Sequence, residues 1–127
     1  MLLDTNFLIA LQRELAARRV GSARTFLGTH RNQPALVSII SFGEVAAGMA
    51  TSALARNFFA VAGFRIVALK PEIALRAAEL DRHLQDAGAR LGENDNWLAG
   101  TALYYAAPIV SNDEDFDRVP GLRRLNF

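Results

Sequence analysis

The 127 residues are 51% apolar and 21% charged, carry a net charge of +1 and include no cysteine. That length makes one domain, residues 1–127, with enough chain to bury a core, and the apolar fraction excludes a disordered polymer. The missing cysteines exclude a disulfide framework and a thiolate metal site, and no uncharged apolar run reaches the roughly 18 residues of a membrane span.

In chain order, Met1–Leu3 predicts the end of a short buried strand. Asp4 then interrupts the apolar run with no basic segment before it, so no signal peptide is expected and a cytoplasmic setting is. Phe7–Ala17 and Ser22–Thr29 predict helices. Ala35–Ile39, β-branched and bounded by Asn32-Gln33-Pro34, predicts a second strand. Ser41 to Met49 predicts a helix with Ser41 as N-cap and Glu44 three residues on, a capping-box spacing. Ser52–Ala60 predicts another helix and Phe64–Leu69 a third strand.

Pro71 suits the first turn of a helix that Gly88 ends, with Ile73, Ala77, Leu80 and Leu84 on one face. Asn94 predicts the cap of a helix from Asp95 to Tyr105, with Leu98, Thr101, Ala102 and Tyr105 on one stripe. Pro108–Ser111 predicts a short strand and Arg123–Phe127 a last edge strand. The alternation implies an α/β fold, a mostly parallel sheet of four to five short strands with helices on both sides.

Ligands of such sheets bind at the carboxyl ends of the strands. Asp4 falls just past the first strand, Glu44 in the first turn of the helix after the second, and Asp95 at a helix start. Asp113 and Asp115 follow the Pro108–Ser111 strand. Each alone is explained as an acid favoured by a helix dipole. Gathered at one edge they would repel each other and raise their pKa values. A hard divalent cation, Mg²⁺ or Mn²⁺, removes that repulsion, activates a water for attack on phosphorus and neutralises charge on the leaving oxygen. His30 and His83 lie in polar segments, so a histidine metal site is not expected.

Thirteen of the fourteen basic residues are Arg, whose forks match phosphate. Residues 1–65 set seven Arg against Asp4, Glu14 and Glu44, a balance of +4, whereas residues 66–127 carry −3. A nucleic-acid partner and plain solvated helix faces are both compatible with that asymmetry.

Four stretches, "LLDTNFLI" (2–9), "VSIISFGEVAAG" (37–48), "ENDNWLAGTAL" (93–103) and "VSNDEDFDRVPGL" (110–122), resemble the signature blocks of PIN-domain ribonucleases, and among them the VapC-type toxins of bacterial toxin–antitoxin systems. The resemblance covers nearly the whole chain and implies a three-layer α/β/α sandwich. It implies Asp4 and Asp95 as metal ligands, Glu44 as the second acid, and Thr5, Asn6 and Ser111 as polar support. "SNDEDF" is similar to a T-x-D-x-D-F pattern, which makes Asp113 the preferred fourth acid and metal ligand, with Asp115 as second choice and Asn112 as the alternative if the pattern shifts by one.

The implied activity is Mg²⁺- or Mn²⁺-dependent endoribonuclease cleavage by activated water, leaving a 3′-hydroxyl and a 5′-phosphate in tRNA or rRNA loops. Loops are where proteins can read RNA bases. Arg13, Arg18, Arg19, Arg24 and Arg31 are candidates for flanking phosphates, and Trp97 either stacks on a base or packs against neighbours. The resemblance also implies a VapB-like antitoxin and a homodimer, without a membrane. The apolar stretch 45–64, with the adjacent Phe58 and Phe59, is core or a surface for antitoxin or a second copy. Two other readings are a haloacid-dehalogenase-like phosphatase and a catalytically inactive PIN-like binding domain. The first is opposed by Asn6, which stands where that chemistry places a second Asp, and by Lys70 as the only lysine; the second is opposed by the presence of all the principal acids.

Overall fold

The computed structural model describes residues 1–127. Strands β1 (Leu2–Leu3), β2 (Leu36–Ser38), β3 (Arg65–Val67), β4 (Ile109–Val110) and β5 (Arg124–Leu125) form one sheet in the order β3-β2-β1-β4-β5. Every pair is parallel, with Leu2 and Leu3 set against Leu36 and Val37 on one side and Ile109 and Val110 on the other. Six helices flank it: α1 (Thr5–Ala16), α2 (Ser22–Thr29), α3 (Ile39–Ala47), α4 (Ser52–Ala62), α5 (Pro71–Asp86) and α6 (Glu93–Tyr104). This is the expected α/β/α sandwich.

Successive strand residues face opposite layers, so each central strand must be apolar on both sides. Leu2, Leu36 and Ile109 pack with Leu80, Leu84, Leu98 and Phe116. Leu3, Val37 and Val110 pack on the other face with Phe7, Leu8, Phe26, Val45 and Phe59. Helices α5 and α6 press together at Gly100, where an added Cβ would stand 2.9 Å from the Ala77 Cβ and 3.1 Å from its Cα. Packed on α5 and in the same core cluster as the strands, α6 buries Leu98, Ala99, Gly100, Thr101 and Ala102 in succession. The expected stripe of Leu98, Thr101, Ala102 and Tyr105 does face the core, and Ala99 and Gly100 are buried beside it because the helix is covered on more than one side.

Two helix starts also differ from expectation. Ser38, the last residue of β2, caps α3 by accepting the Ile40 N–H at 3.2 Å. The chain turns straight from strand to helix, so Ser41 is buried inside α3 and Glu44 falls in its second turn rather than its first. Gly92 is the N-cap of α6, so Asn94 already lies within the helix and its side chain is free for another task. No helix is long and apolar enough to cross a membrane.

Candidate active site

The strand order reverses between β1 and β4, and the crevice beyond their carboxyl ends is where such sheets hold ligands. A cavity of about 160 Å³ opens there, lined by Asp4, Thr5, Asn6, Glu44, Asp95, Leu98, Asp113 and Phe116. Four carboxylates thus arrive from four parts of the chain. Leu98 and Phe116 bring the edge of the core to its wall.

Asp4 reaches the site because it is the one residue between the end of β1 and the start of α1. It is the N-cap of α1, its Oδ1 accepting the Phe7 N–H at 2.6 Å, and it is only 3% exposed. The cap and the acid are one side chain: one oxygen closes the helix while the carboxylate borders the cavity. Burial pushes its pKa above the usual carboxylate value; Ser111 and the Phe7 N–H oppose this, and the charges of Asp95 and Asp113 add to it.

Asp95 occupies the first turn of α6, where the helix dipole favours an anion. Its pKa is nevertheless raised, first by burial and then by Asp113, Glu44 and Asp115. Glu44 is held at both oxygens. The Thr5 hydroxyl donates to Oε2, and Asn94 Nδ2 donates to Oε1 at 2.6 Å. Thr5 also stands 3.1 Å from the Ser41 hydroxyl. Asn94 and Ser41 are the polar supports that sequence reasoning missed, both having been assigned to caps.

The three candidates after β4 separate by orientation. Asp113 lines the cavity; its N–H donates to the Ser111 hydroxyl at 3.0 Å, and its Oδ1 caps the short 3₁₀ turn Glu114–Arg118 through the Asp115 N–H. Asp115 turns its carboxylate to Arg118 at 2.8 Å and does not line the cavity. Asn112 points to the chain end, exchanging two 2.9 Å hydrogen bonds with the Phe127 backbone. Of the five arginines proposed for phosphates, Arg13 is brought beside an acid, in a furrow of about 180 Å³ shared with Gln12, Glu44 and Met49. Arg24 donates to the Arg19 carbonyl and Arg31 to the Gly28 carbonyl, and Arg18 and Arg19 are exposed elsewhere. Trp97 is half-buried in a hollow between α5 and α6 and does not line the acid cavity.

No three of the acids stand close enough to form a closed metal cage by themselves. The donors are all oxygens, the charges repel one another, and the cavity has room for several waters at about 30 Å³ each. That set fits a hydrated hard cation, which keeps much of its water and takes only a few carboxylates.

The largest concavity, about 790 Å³, lies elsewhere, between α1, α2 and α4. It is an apolar groove lined by Leu11, Leu15, Leu27, Leu54, Phe58 and Val61, with no cluster of titratable groups. The adjacent phenylalanines divide there: Phe58 lines the groove, while Phe59 is buried against Phe42 at 4.8 Å.

The PIN domain family matches residues 1–122. Ribonuclease VapC5 of Mycobacterium tuberculosis is 33% identical over 61 residues, a stretch covering 48% of this chain and 45% of that relative. The chain therefore spans under half the length of that curated relative. Among solved structures, VapBC2 from Rickettsia felis bound to a promoter DNA fragment is similar with a TM-score of 0.81 and 21% identity, over 99% of this chain and 97% of that one. DNA-bound VapBC from Salmonella typhimurium gives a TM-score of 0.78 and 21% identity over 98% and 96%. At such identities the likeness is one of fold.

Proposed function

This chain belongs to the PIN-domain family, and from that premise we propose that it is a Mg²⁺- or Mn²⁺-dependent endoribonuclease, the toxin of a toxin–antitoxin pair, acting on tRNA or rRNA loops. The observation that carries the reading is the convergence of Asp4, Glu44, Asp95 and Asp113 on one cavity at the switch point.

Asp4, Asp95 and Asp113 would hold the cation. When bound, it supplies Lewis-acid stabilisation of charge on the phosphate and leaving oxygens and eases deprotonation of water. The chain's own part is positional. Asp4 cannot swing away, because its Oδ1 is committed to the Phe7 N–H. Glu44, fixed by Thr5 and Asn94, is a carboxylate able to orient a water and take its proton. Leu98 and Phe116 limit the solvent around the group. Arg13, in the furrow beside Glu44, is placed to hold a flanking phosphate of the RNA.

The 790 Å³ groove is the surface proposed for the antitoxin, as an amphipathic helix laid on Leu54, Val61 and Leu15, which are 55%, 80% and 45% exposed. The furrow at Arg13 shares Gln12, Gly48 and Met49 with the groove and Glu44 with the acid cavity, so a chain seated there has a path to the acids. A homodimer is the second assembly included in the proposal; sedimentation of the purified chain, reporting monomer or dimer mass, decides it.

The decisive experiment incubates antitoxin-free protein with total RNA and Mg²⁺ or Mn²⁺, beside Asp4→Asn. Cleavage that disappears with chelator and with the variant supports the nuclease. Equal RNA loss with both proteins would remove it. Expression alone should arrest growth and Glu44→Gln should relieve the arrest; normal growth with soluble wild-type protein opposes the toxin role.

A further inference from the structure

We propose that Arg124, outside the acid cavity, is the positioning residue that holds Asp113 at the metal edge; the inference rests on the metal-dependent reading above. The segment carrying Asp113 has little hold on itself. It follows the two-residue strand β4 and, three residues on, enters the short 3₁₀ segment Glu114–Arg118, a form with poor hydrogen-bond geometry that seldom runs long. Its internal ties around Asp113 are short-range, the Asp113 N–H on the Ser111 hydroxyl and the Asp115 N–H on Asp113, and its other outside holds are the Asn112–Phe127 pair and the buried Phe116 ring.

One guanidinium holds this segment on both sides of the acid. Arg124 Nε and Nη2 fork onto the two oxygens of Asp117 at 2.9 and 2.8 Å, and Nη1 donates to the Ser111 carbonyl at 3.2 Å. Nη1 also reaches the Asn126 side-chain oxygen. The residue two before Asp113 and the residue four after it are thereby tied to one planar group. Lysine has no fork to do this.

The platform behind Arg124 is itself anchored. The Ser111 N–H donates to the Leu125 carbonyl at 2.9 Å, and the Phe127 ring stands edge-on 4.8 Å from the fully buried Phe7. What sets this pair apart is the shelter of its arginine, since Asp117 itself is 55% exposed. The Arg side chains of Arg90–Asp81 and Arg118–Asp115 are 60% and 46% exposed, the range in which ion pairs contribute little, whereas Arg124 is 11% exposed.

The test measures Mn²⁺ binding calorimetrically on the full chain, with thermal melting and amide exchange beside it. Arg124→Gln and Asp117→Asn should each weaken Mn²⁺ about tenfold, the loss usual for groups that orient metal ligands, and the double variant should be no worse than either. Exchange should speed up across residues 112–117 while α1 stays protected. Arg124→Lys keeps the charge, so its failure to restore affinity supports the fork and full restoration overturns it. Arg124→Gln that folds and binds Mn²⁺ within twofold of wild type also overturns the proposal. Should Arg124→Gln not fold, Asp117→Asn carries the same comparison, and wild-type affinity there is equally fatal. Asp113→Asn separates the two levels: weakened binding there with intact binding in Arg124→Gln ends the positioning role alone. Unchanged binding in Asp113→Asn would remove the metal premise, and the proposal with it.

Discussion

Helix α1 carries two buried carboxylates, Asp4 at its start and Glu14 near its end, each 3% exposed. Their pKa values move in opposite directions. Burial raises Glu14, but backbone N–H groups of Arg24, Ala23 and Gly21, with Arg19 nearby, outweigh it and bring the value down. These three donors, at 2.9 to 3.1 Å, are the unpaired N–H groups around the start of α2, whose own N-cap, Gly21, has no side chain to offer. Asp4 has a single backbone donor and faces other acids, and its value rises. Glu14 is a finished structural part, whereas Asp4 keeps an unmet demand for positive charge. Burial does not distinguish a site from a scaffold; the remaining demand does.

The widest expected split between the two is functional. Asp4→Asn should lower RNA cleavage by at least about 10²-fold, several kcal/mol of lost charge stabilisation, while the amide still caps α1. In chelator its melting temperature should equal or exceed wild type, since a repelled charge has gone. A fall of more than a few degrees would mean that the pair of acids is not opposite in kind. Glu14→Ala should do the reverse. It strands three N–H groups that had a charged partner, costing about 2–4 kcal/mol, or roughly 10 °C in melting, and metal affinity should hardly change.

Acid titration sharpens the contrast. The Glu14 pKa is lower folded than unfolded, so its contribution is present above the unfolded value near pH 4 and is lost as pH falls through the folded one. The stability gap between wild type and Glu14→Gln should therefore close in acid. The Asp4 pKa is higher folded than unfolded, so the favourable contribution exists below about pH 4 and is lost as pH rises through the folded value. The advantage of Asp4→Asn in chelator should accordingly grow from pH 4 towards neutrality. Melting curves on both variants across that range read the two signs directly, and parallel gaps would contradict them.

What was legible in the chain depends on where each partner lies. The strands could be read because a parallel sheet needs residues apolar on both faces, as Leu2-Leu3 and Leu36-Val37 are. Asp4 and Asp95 could be placed because each sits beside an element end. Ser41 misled because a serine three residues before Glu44 looks like a cap, while Ser38, directly on the strand, took that role. The task of Asn94 depends on α3 meeting α6, fifty residues apart, and no local pattern encodes that. Asp113 was preferred to Asp115 and Asn112 by pattern alone, since what orients the three is the Phe127 backbone that binds Asn112 and the Arg118 that takes Asp115. Glu14 was invisible as a cap because its partners are backbone groups, which carry no residue identity.

Gly21 offers the smallest and most selective test of the comparison. A Cβ there would stand 2.3 Å from Glu14 Oε1, so alanine must push the carboxylate out of its nest. The side chain is flexible and can retreat, keeping part of its bonding, so Gly21→Ala should cost about 1–2 kcal/mol, less than losing Glu14 outright. The mechanism makes a sharper claim than the magnitude. If the damage passes through the carboxylate, then Gly21→Ala made in a Glu14→Ala background should cost under about 0.5 kcal/mol, because nothing remains to displace. Full additivity would place the strain in the backbone of the α1–α2 turn instead. It would also weaken the account of Glu14 as the group that completes α2, and with it the contrast to Asp4.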